Sequence, residues 1–253
     1  MTTLTETWLI FQRSMRQSLR NPAWVIIGIV QPVLYLALFG PLLVPVIQNT
    51  PGFPPGDAYQ VLVPALLVQL GLFGSLFVGF GLISEYRAGV IERMRVTPVS
   101  RVALLVGRAL KDVVVLVVQG ILLTLLALPF GLRAPFGGVV IALLLVALLA
   151  LAMSSASYAL ALRLKSEDAL APVLNTIVLP LLLLSGILLP MTLAPTWLYD
   201  LSRVNPFVYV VDAERAIFRG DLGSVAVVGI VIMIALVVVT VAWGVRTFQR
   251  ESA

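Results

Sequence analysis

Residues 85–98 read Glu-Tyr-Arg-Ala-Gly-Val-Ile-Glu-Arg-Met-Arg-Val-Thr-Pro, within the longest charged stretch of the chain. Glu85 and Glu92 stand two helical turns apart, so a helix would bring both carboxylates to one face. Arg87, Arg93 and Arg95 accompany them, and Val90, Ile91 and Met94 supply apolar anchors. Pro98 has no N–H to give and stops such a helix or starts the next. This pattern suits docking into a groove of another protein. Taken alone, it suits equally a solvated loop whose arginines hold it on one side of a membrane. Bond-making chemistry has little else to work with. The chain has no Cys and no His, which removes disulfides, thiolate nucleophiles, the usual zinc sites and imidazole acid/base catalysis. Ser154 and Ser185 have neither a histidine base nor a lysine in their segments. No G-x-x-x-x-G-K-[ST] loop is present to cradle nucleotide phosphates. The expectation is a non-catalytic chain that binds no cofactor and no metal of its own.

The elements that must position the charged segment are read from composition. Of 253 residues, 60% are apolar and only 11% charged, whereas a soluble domain has about a quarter of its residues charged. The bilayer is therefore the solvent. Crossing it takes about twenty apolar residues in a helix, and six stretches qualify: 24–44, 61–83, 102–130, 137–162, 171–189 and 225–245. Arg108, Lys111 and Asp112 lie near the start of the third, which places its first turns in the headgroup region. The first stretch is longer than the core of a cleavable signal, and no A-x-A follows it. The predicted fold class is all-α, a polytopic membrane protein with six transmembrane helices forming a single transmembrane domain over 1–253.

Orientation follows from the basic residues. Arg13, Arg16, Arg20, Arg87, Arg93, Arg95, Arg101, Arg108, Lys111, Arg163, Lys165, Arg246 and Arg250, thirteen in all, fall on one side, against four (Arg133, Arg203, Arg215, Arg219) on the other. Both termini are thus expected in the cytoplasm. The net charge of +5 reads as orientation, and no aromatic-interleaved basic patch points to nucleic acid.

Between the spans, residues 4–20 place Leu4, Trp8, Phe11, Met15 and Leu19 on one helical face and Arg13, Arg16 and Arg20 on another. That predicts an amphipathic helix at the lipid interface, stopped by Asn21 and Pro22. Residues 48–60 are a turn-rich connector without basic residues. Residues 191–224 are too polar to span and too apolar for a free loop, which predicts short re-entrant helices in the outer leaflet, with Trp197 and Tyr199 at the interface and Asp212, Glu214 and Arg215 pairing locally outside the bilayer. Within the spans, Gln69, Asn175, Ser154, Ser155, Ser157 and Tyr158 are candidates to face a substrate path. The same groups suit interhelical hydrogen bonds worth about 0.6 kcal/mol each. Pro180 would kink the fifth span toward a cavity or simply pack there. Gly71, Gly74, Ser75 and Gly79 offer surfaces for close helix approach. The span centres lack Asp, Glu, Lys and Arg, which disfavours ion-coupled carriers.

The run E-x-x-x-G-x-x-E-x-x-x-x-T-P, carried by Glu85, Gly89, Glu92, Thr97 and Pro98, resembles the segment after the second span in the type-two transport permeases of ATP-binding cassette exporters. A second pattern is similar to the same family: Ser185-Gly186, Pro190, Pro195, Trp197-Leu198, Asn205-Pro206, Tyr209, Asp212 and Arg215. The resemblance covers essentially the whole chain and is greatest to the drug-resistance branch, which includes the daunorubicin exporter subunit. It implies a permease in the inner membrane of a bacterium, paired with a second copy of itself or a related permease, surrounded by lipid and driven by two cytosolic ATP-binding subunits that hold ATP and Mg. It also implies that 85–98 is the segment contacting the ATPase, that the N-terminal helix supports this contact, and that 190–215 caps the outer end. The expected activity is export of a hydrophobic or amphiphilic, drug-like compound. Export of a polysaccharide or lipid-linked glycan is the alternative within the family, and an ion-coupled carrier or a non-transporting scaffold the alternatives outside it.

Overall fold

The computed structural model describes residues 3–20, 23–49, 53–90 and 100–250, and among these every regular element is helical. Helix α1 (Thr3–Arg20) precedes a first span built from α2 (Ala23–Leu34), a π turn (Tyr35–Phe39) and α3 (Gly40–Asn49). Pro41 has no N–H to give, and just before it the ladder widens, the Gly40 N–H reaching back to the Tyr35 carbonyl. The second span is broken into α4 (Ala58–Leu76) and α5 (Gly79–Arg87). Then come α6 (Arg101–Ala127), α7 (Phe136–Leu164), α8 (Glu167–Leu183), the short α9 (Thr196–Ser202), α10 (Pro206–Phe218) and α11 (Ser224–Arg250).

Among the described residues, five helical stretches are long and apolar enough to cross a membrane: Val25–Ile47, Ala58–Arg87, Arg101–Phe130, Phe136–Leu164 and Ser224–Arg250. The expected run 171–189 takes a different form. Helix α8 begins earlier, at Glu167, and ends after 17 residues, about 25 Å of rise. Its stop has a local cause, since Gly186 adopts a left-handed φ of 76° and the Ser185 hydroxyl accepts the Ile187 N–H at 3.2 Å, turning the chain out of the helix.

Helix α4 is the core of the bundle. Almost every side chain from Ala58 to Leu72 is buried, and α6, α7 and α10 pack around it. Gly71 and Gly74 admit Leu149 and Leu116 where a Cβ would collide, which explains the small residues predicted there as packing. The outer helices keep apolar faces open, among them Ile26 and Leu38 on the first span, Val118 and Leu122 on α6, and Val231 and Val238 on α11. Such a belt is what a multi-pass membrane protein turns to lipid.

Candidate functional site

Helix α5 carries Glu85 in its last turn. The Glu85 Oε2 meets an Arg108 terminal nitrogen at 2.6 Å, with side-chain exposures of 20% and 7%. One turn further along α6, Asp112 is buried, pairs with its neighbour Lys111, and accepts the phenol proton of Tyr158 at 2.6 Å. Glu85, Arg108, Asp112 and Tyr158 therefore link the second, third and fourth spans. The sequence reading places the first turns of this span at headgroup depth. At that end Arg108 and Asp112 are buried in the helix packing, where each finds an opposite charge or a hydrogen bond to offset desolvation.

The far end of the charged segment is fastened to the same helix. Ser100 caps α6, its hydroxyl accepting the Ala103 N–H at 3.2 Å, and its own N–H donates to the Glu6 carboxylate at 2.9 Å. Glu6 gets there because α1 lies along the start of α6. At Gly107 a Cβ would stand 2.8 Å from the Thr7 carbonyl oxygen and 2.9 Å from Ile10, so only glycine allows this approach. Helix α1 consequently buries Glu6 and Ile10, while Leu4, Trp8, Arg16, Leu19 and Arg20 stay exposed. Phe11 and Met15 are half-buried, and Trp8 stacks on Phe11 at 5.2 Å. Arg13 is exposed. The predicted apolar face is thus the one left outward, and the inward face is a second one that contains a carboxylate.

The coupling candidates within reach are placed as follows. Arg87 stands 3.8 Å from Glu167, both exposed. Gly89 takes a left-handed φ of 68° as its N–H closes back on the Tyr86 carbonyl. Glu92, Arg93, Arg95, Thr97 and Pro98 lie outside the described residues. The path candidates do not converge. Gln69, Ser154 and Tyr158 are buried inside the bundle, whereas Asn175 and Pro180 are exposed on α8. Tyr158 is committed to Asp112 and Ser157 to the second span, which is the interhelical role. Glu6, Arg108 and Asp112 were missed as site residues. The signal for the last two was an Arg and an Asp one turn apart in an otherwise apolar run.

At the opposite end of the bundle, Asn205 caps α10, accepting the Phe207 N–H at 3.0 Å and donating to the Leu181 carbonyl at 2.9 Å. Buried Arg215 donates to the carbonyls of Val61 at 3.2 Å and Gly186 at 2.8 Å, which joins α4, α10 and the turn after α8. Burial lowers its pKa to about 10, against the opposing pull of Asp212 4.0 Å away. Ser185 and Pro190 are buried in the same turn, Pro206 starts α10, and Trp197 is exposed on α9. Local pairing among Asp212, Glu214 and Arg215 is only partly realised. Glu214 is fully buried with no hydrogen-bond partner for either carboxyl oxygen among the described residues, and burial pushes its pKa well above the carboxylate range.

Residues 5–219 match the family described as ABC-2 type transporter. A putative transport permease of Cyanophora paradoxa, ycf38, is 30% identical over 220 residues, 85% of this chain and 74% of the relative. The daunorubicin resistance permease DrrB1 of Streptomyces coeruleorubidus is 26% identical over 255 residues, covering 99% of this chain and 87% of the relative. The inner membrane transport permease YadH of Escherichia coli is 27% identical over 223 residues, covering 85% and 84%.

Proposed function

Because the chain belongs to the ABC-2 type transporter family, we propose that it is the membrane subunit of an ATP-driven exporter that moves a hydrophobic or amphiphilic compound out of a bacterial cell. Two cytosolic subunits would hydrolyse MgATP and push on residues 85–98, and two permease chains would alternate access along their shared face. The observation that carries this reading is the double anchorage of the charged segment, by Glu85 on Arg108 and by Ser100 on Glu6. A segment fixed at one end to the third span and at the other to α1, which packs along that span, can pass force into it, where a loop held by nothing would absorb the motion. The drug-like cargo is favoured by the uncharged span centres and by the resistance permease among the relatives.

In this reading α8 and the turn after it complete a sixth crossing, which returns the C-terminus to the side of the N-terminus. The cysteine-free sequence makes the topology directly measurable, since single cysteines at Thr3 and Gln249 should both be shielded from an impermeant thiol reagent in intact cells. The decisive test of function is reconstitution with the cognate ATPase. Daunorubicin should accumulate in inside-out vesicles only with MgATP, and Glu92→Lys should abolish that uptake while insertion persists. Uptake by the isolated chain on a proton gradient, without ATPase, would overturn the proposal.

A further inference from the structure

The second span is interrupted between α4 and α5, and the interruption has a specific hydrogen-bond pattern. At Phe77 and Val78 the ladder tightens to i→i+3 contacts, Phe80 N–H to the Phe77 carbonyl at 3.3 Å and Gly81 N–H to the Val78 carbonyl at 3.1 Å. That leaves the Leu76 carbonyl and the Gly79 N–H facing α7. Both are taken by one side chain, since the Ser157 hydroxyl donates to Leu76 O at 2.5 Å and accepts the Gly79 N–H at 2.9 Å. A Cβ at Gly79 would lie 2.7 Å from that hydroxyl and 2.9 Å from the Ser157 carbonyl oxygen, so glycine is required for the staple to close. A stretch of 3₁₀ geometry inside a helix often marks a hinge, and a side chain inserted into the hydrogen-bond ladder is a recognised cause of a kink.

The next residue on α7 is Tyr158. Its phenol holds Asp112, which lies one turn from Arg108 and interacts with it electrostatically, and Arg108 holds Glu85 at the far end of α5. Two adjacent side chains of the fourth span thus act on the two ends of one short helix, Ser157 directly at its root and Tyr158 through α6 at its tip. We infer that α5 is a hinged lever between the charged segment and the membrane core, and that Ser157 and Tyr158 are positioning residues that set its angle. The inference rests on the exporter reading for what the lever transmits, and on the hydrogen bonds alone for the existence of the hinge.

Two measurements separate these parts. In the first, the isolated chain in lipid nanodiscs is followed by amide hydrogen exchange, with no ATPase present. Ser157→Ala should speed exchange at residues 79–81 at least about tenfold, the effect on local opening of losing the two buried hydrogen bonds of the staple, while residues 61–72 stay unchanged. Ser157→Cys, which keeps a weak acceptor in nearly the same volume, should fall between and serves if the alanine variant does not insert. Unchanged exchange at 79–81 in both variants overturns the hinge. In the second, the chain and its ATPase are reconstituted in vesicles with daunorubicin. Tyr158→Phe should hydrolyse ATP at the wild-type rate but move at least about fivefold less drug per ATP, as expected when one hydrogen bond to a charged group is lost. A wild-type ratio in that variant overturns the role given to Tyr158. ATP hydrolysis without any drug movement by the wild-type pair would instead sink the exporter reading, leaving the exchange measurement to decide the hinge.

Discussion

At the basic end of the bundle Arg108 faces a carboxylate at 2.6 Å, and Asp112 takes a lysine and a phenol. At the opposite end Arg215, equally buried, donates to two main-chain carbonyls, and Glu214 has no partner among the described residues. Side-chain pairs sit on flexible stems and can re-form after a helix shifts. A guanidinium held by carbonyls of two different elements ties backbone to backbone and resists such a shift. On the lever reading, this difference would place movement at the end that carries the charged segment and rigidity at the end that α10 closes.

The largest effect expected from this contrast is at Arg215. Replacing it with Met strips the buried Gly186 carbonyl of this donor and leaves the Val61 carbonyl with its helical bond alone, and one unsatisfied buried group costs roughly 1–3 kcal/mol. A destabilisation of about 2–3 kcal/mol should appear as a lowered unfolding midpoint of the purified protein. Arg215→Lys should recover only part of it, because an ammonium lacks the planar fork that reaches both acceptors. A loss below about 1 kcal/mol in Arg215→Met would erase the distinction between the two ends.

Glu214 comes next, through pH. Its carboxyl titrates near 4.5 when exposed and is pushed well above that in the folded protein by burial. Between those two values the native state keeps a proton that the unfolded state has released, so stability is full below 4.5 and falls as pH rises toward the folded pKa. The slope is about 1.4 kcal/mol per pH unit for one proton. Unfolding midpoints taken from roughly pH 5 to pH 8 should decline in the wild-type protein, and Glu214→Gln should remove the part of the decline due to this proton. Parallel curves for the two proteins would show that Glu214 finds a partner or water.

A smaller effect belongs to the side-chain-paired end. Glu85→Gln keeps the shape and removes the charge opposite Arg108, and because Glu85 is one-fifth exposed the cost should be only about 1–2 kcal/mol. The reversal Glu85→Arg with Arg108→Glu should regain much of it, since both partners are side chains. No equivalent swap exists for Arg215, whose partners are carbonyls. A double reversal no better than either single change would mean the basic end is as rigid as the other.

Much of the helical layout was legible in charge-free runs, because hydrocarbon excludes charge over about twenty residues. Asn205 and Pro206 stand out only as part of a family pattern, and their roles as cap and first residue of α10 come from the structure. Less could be read where a residue's role depends on another helix. Nothing in the sequence pattern singles out Glu6, whose role exists only because Gly107 lets α1 close on α6. Ser157 was one of several small polar residues in a span, and only the break in α4 and α5, a tertiary feature, separates it from Ser154. The run 171–189 matched composition well but not extent, since Gly186 and the Ser185 hydroxyl end the helix by local geometry that hydropathy does not register.

The smallest effect is expected at Arg87 and Glu167, a pair at the basic end whose side chains are 53% and 41% exposed, with 3.8 Å between the charges. Exposed pairs of this kind are screened by water and salt and lose side-chain entropy on forming, so they contribute about 0–1 kcal/mol. Arg87→Ala should therefore leave the unfolding midpoint within error of wild type. That near-neutrality makes Arg87 the sharpest probe of the basic end as a docking surface. If the variant is as stable as wild type yet binds its ATPase less well in a pull-down, the arginine serves the partner and not the fold. If binding and stability are both unchanged, the docking surface lies beyond α5, and the lever ends before Arg87.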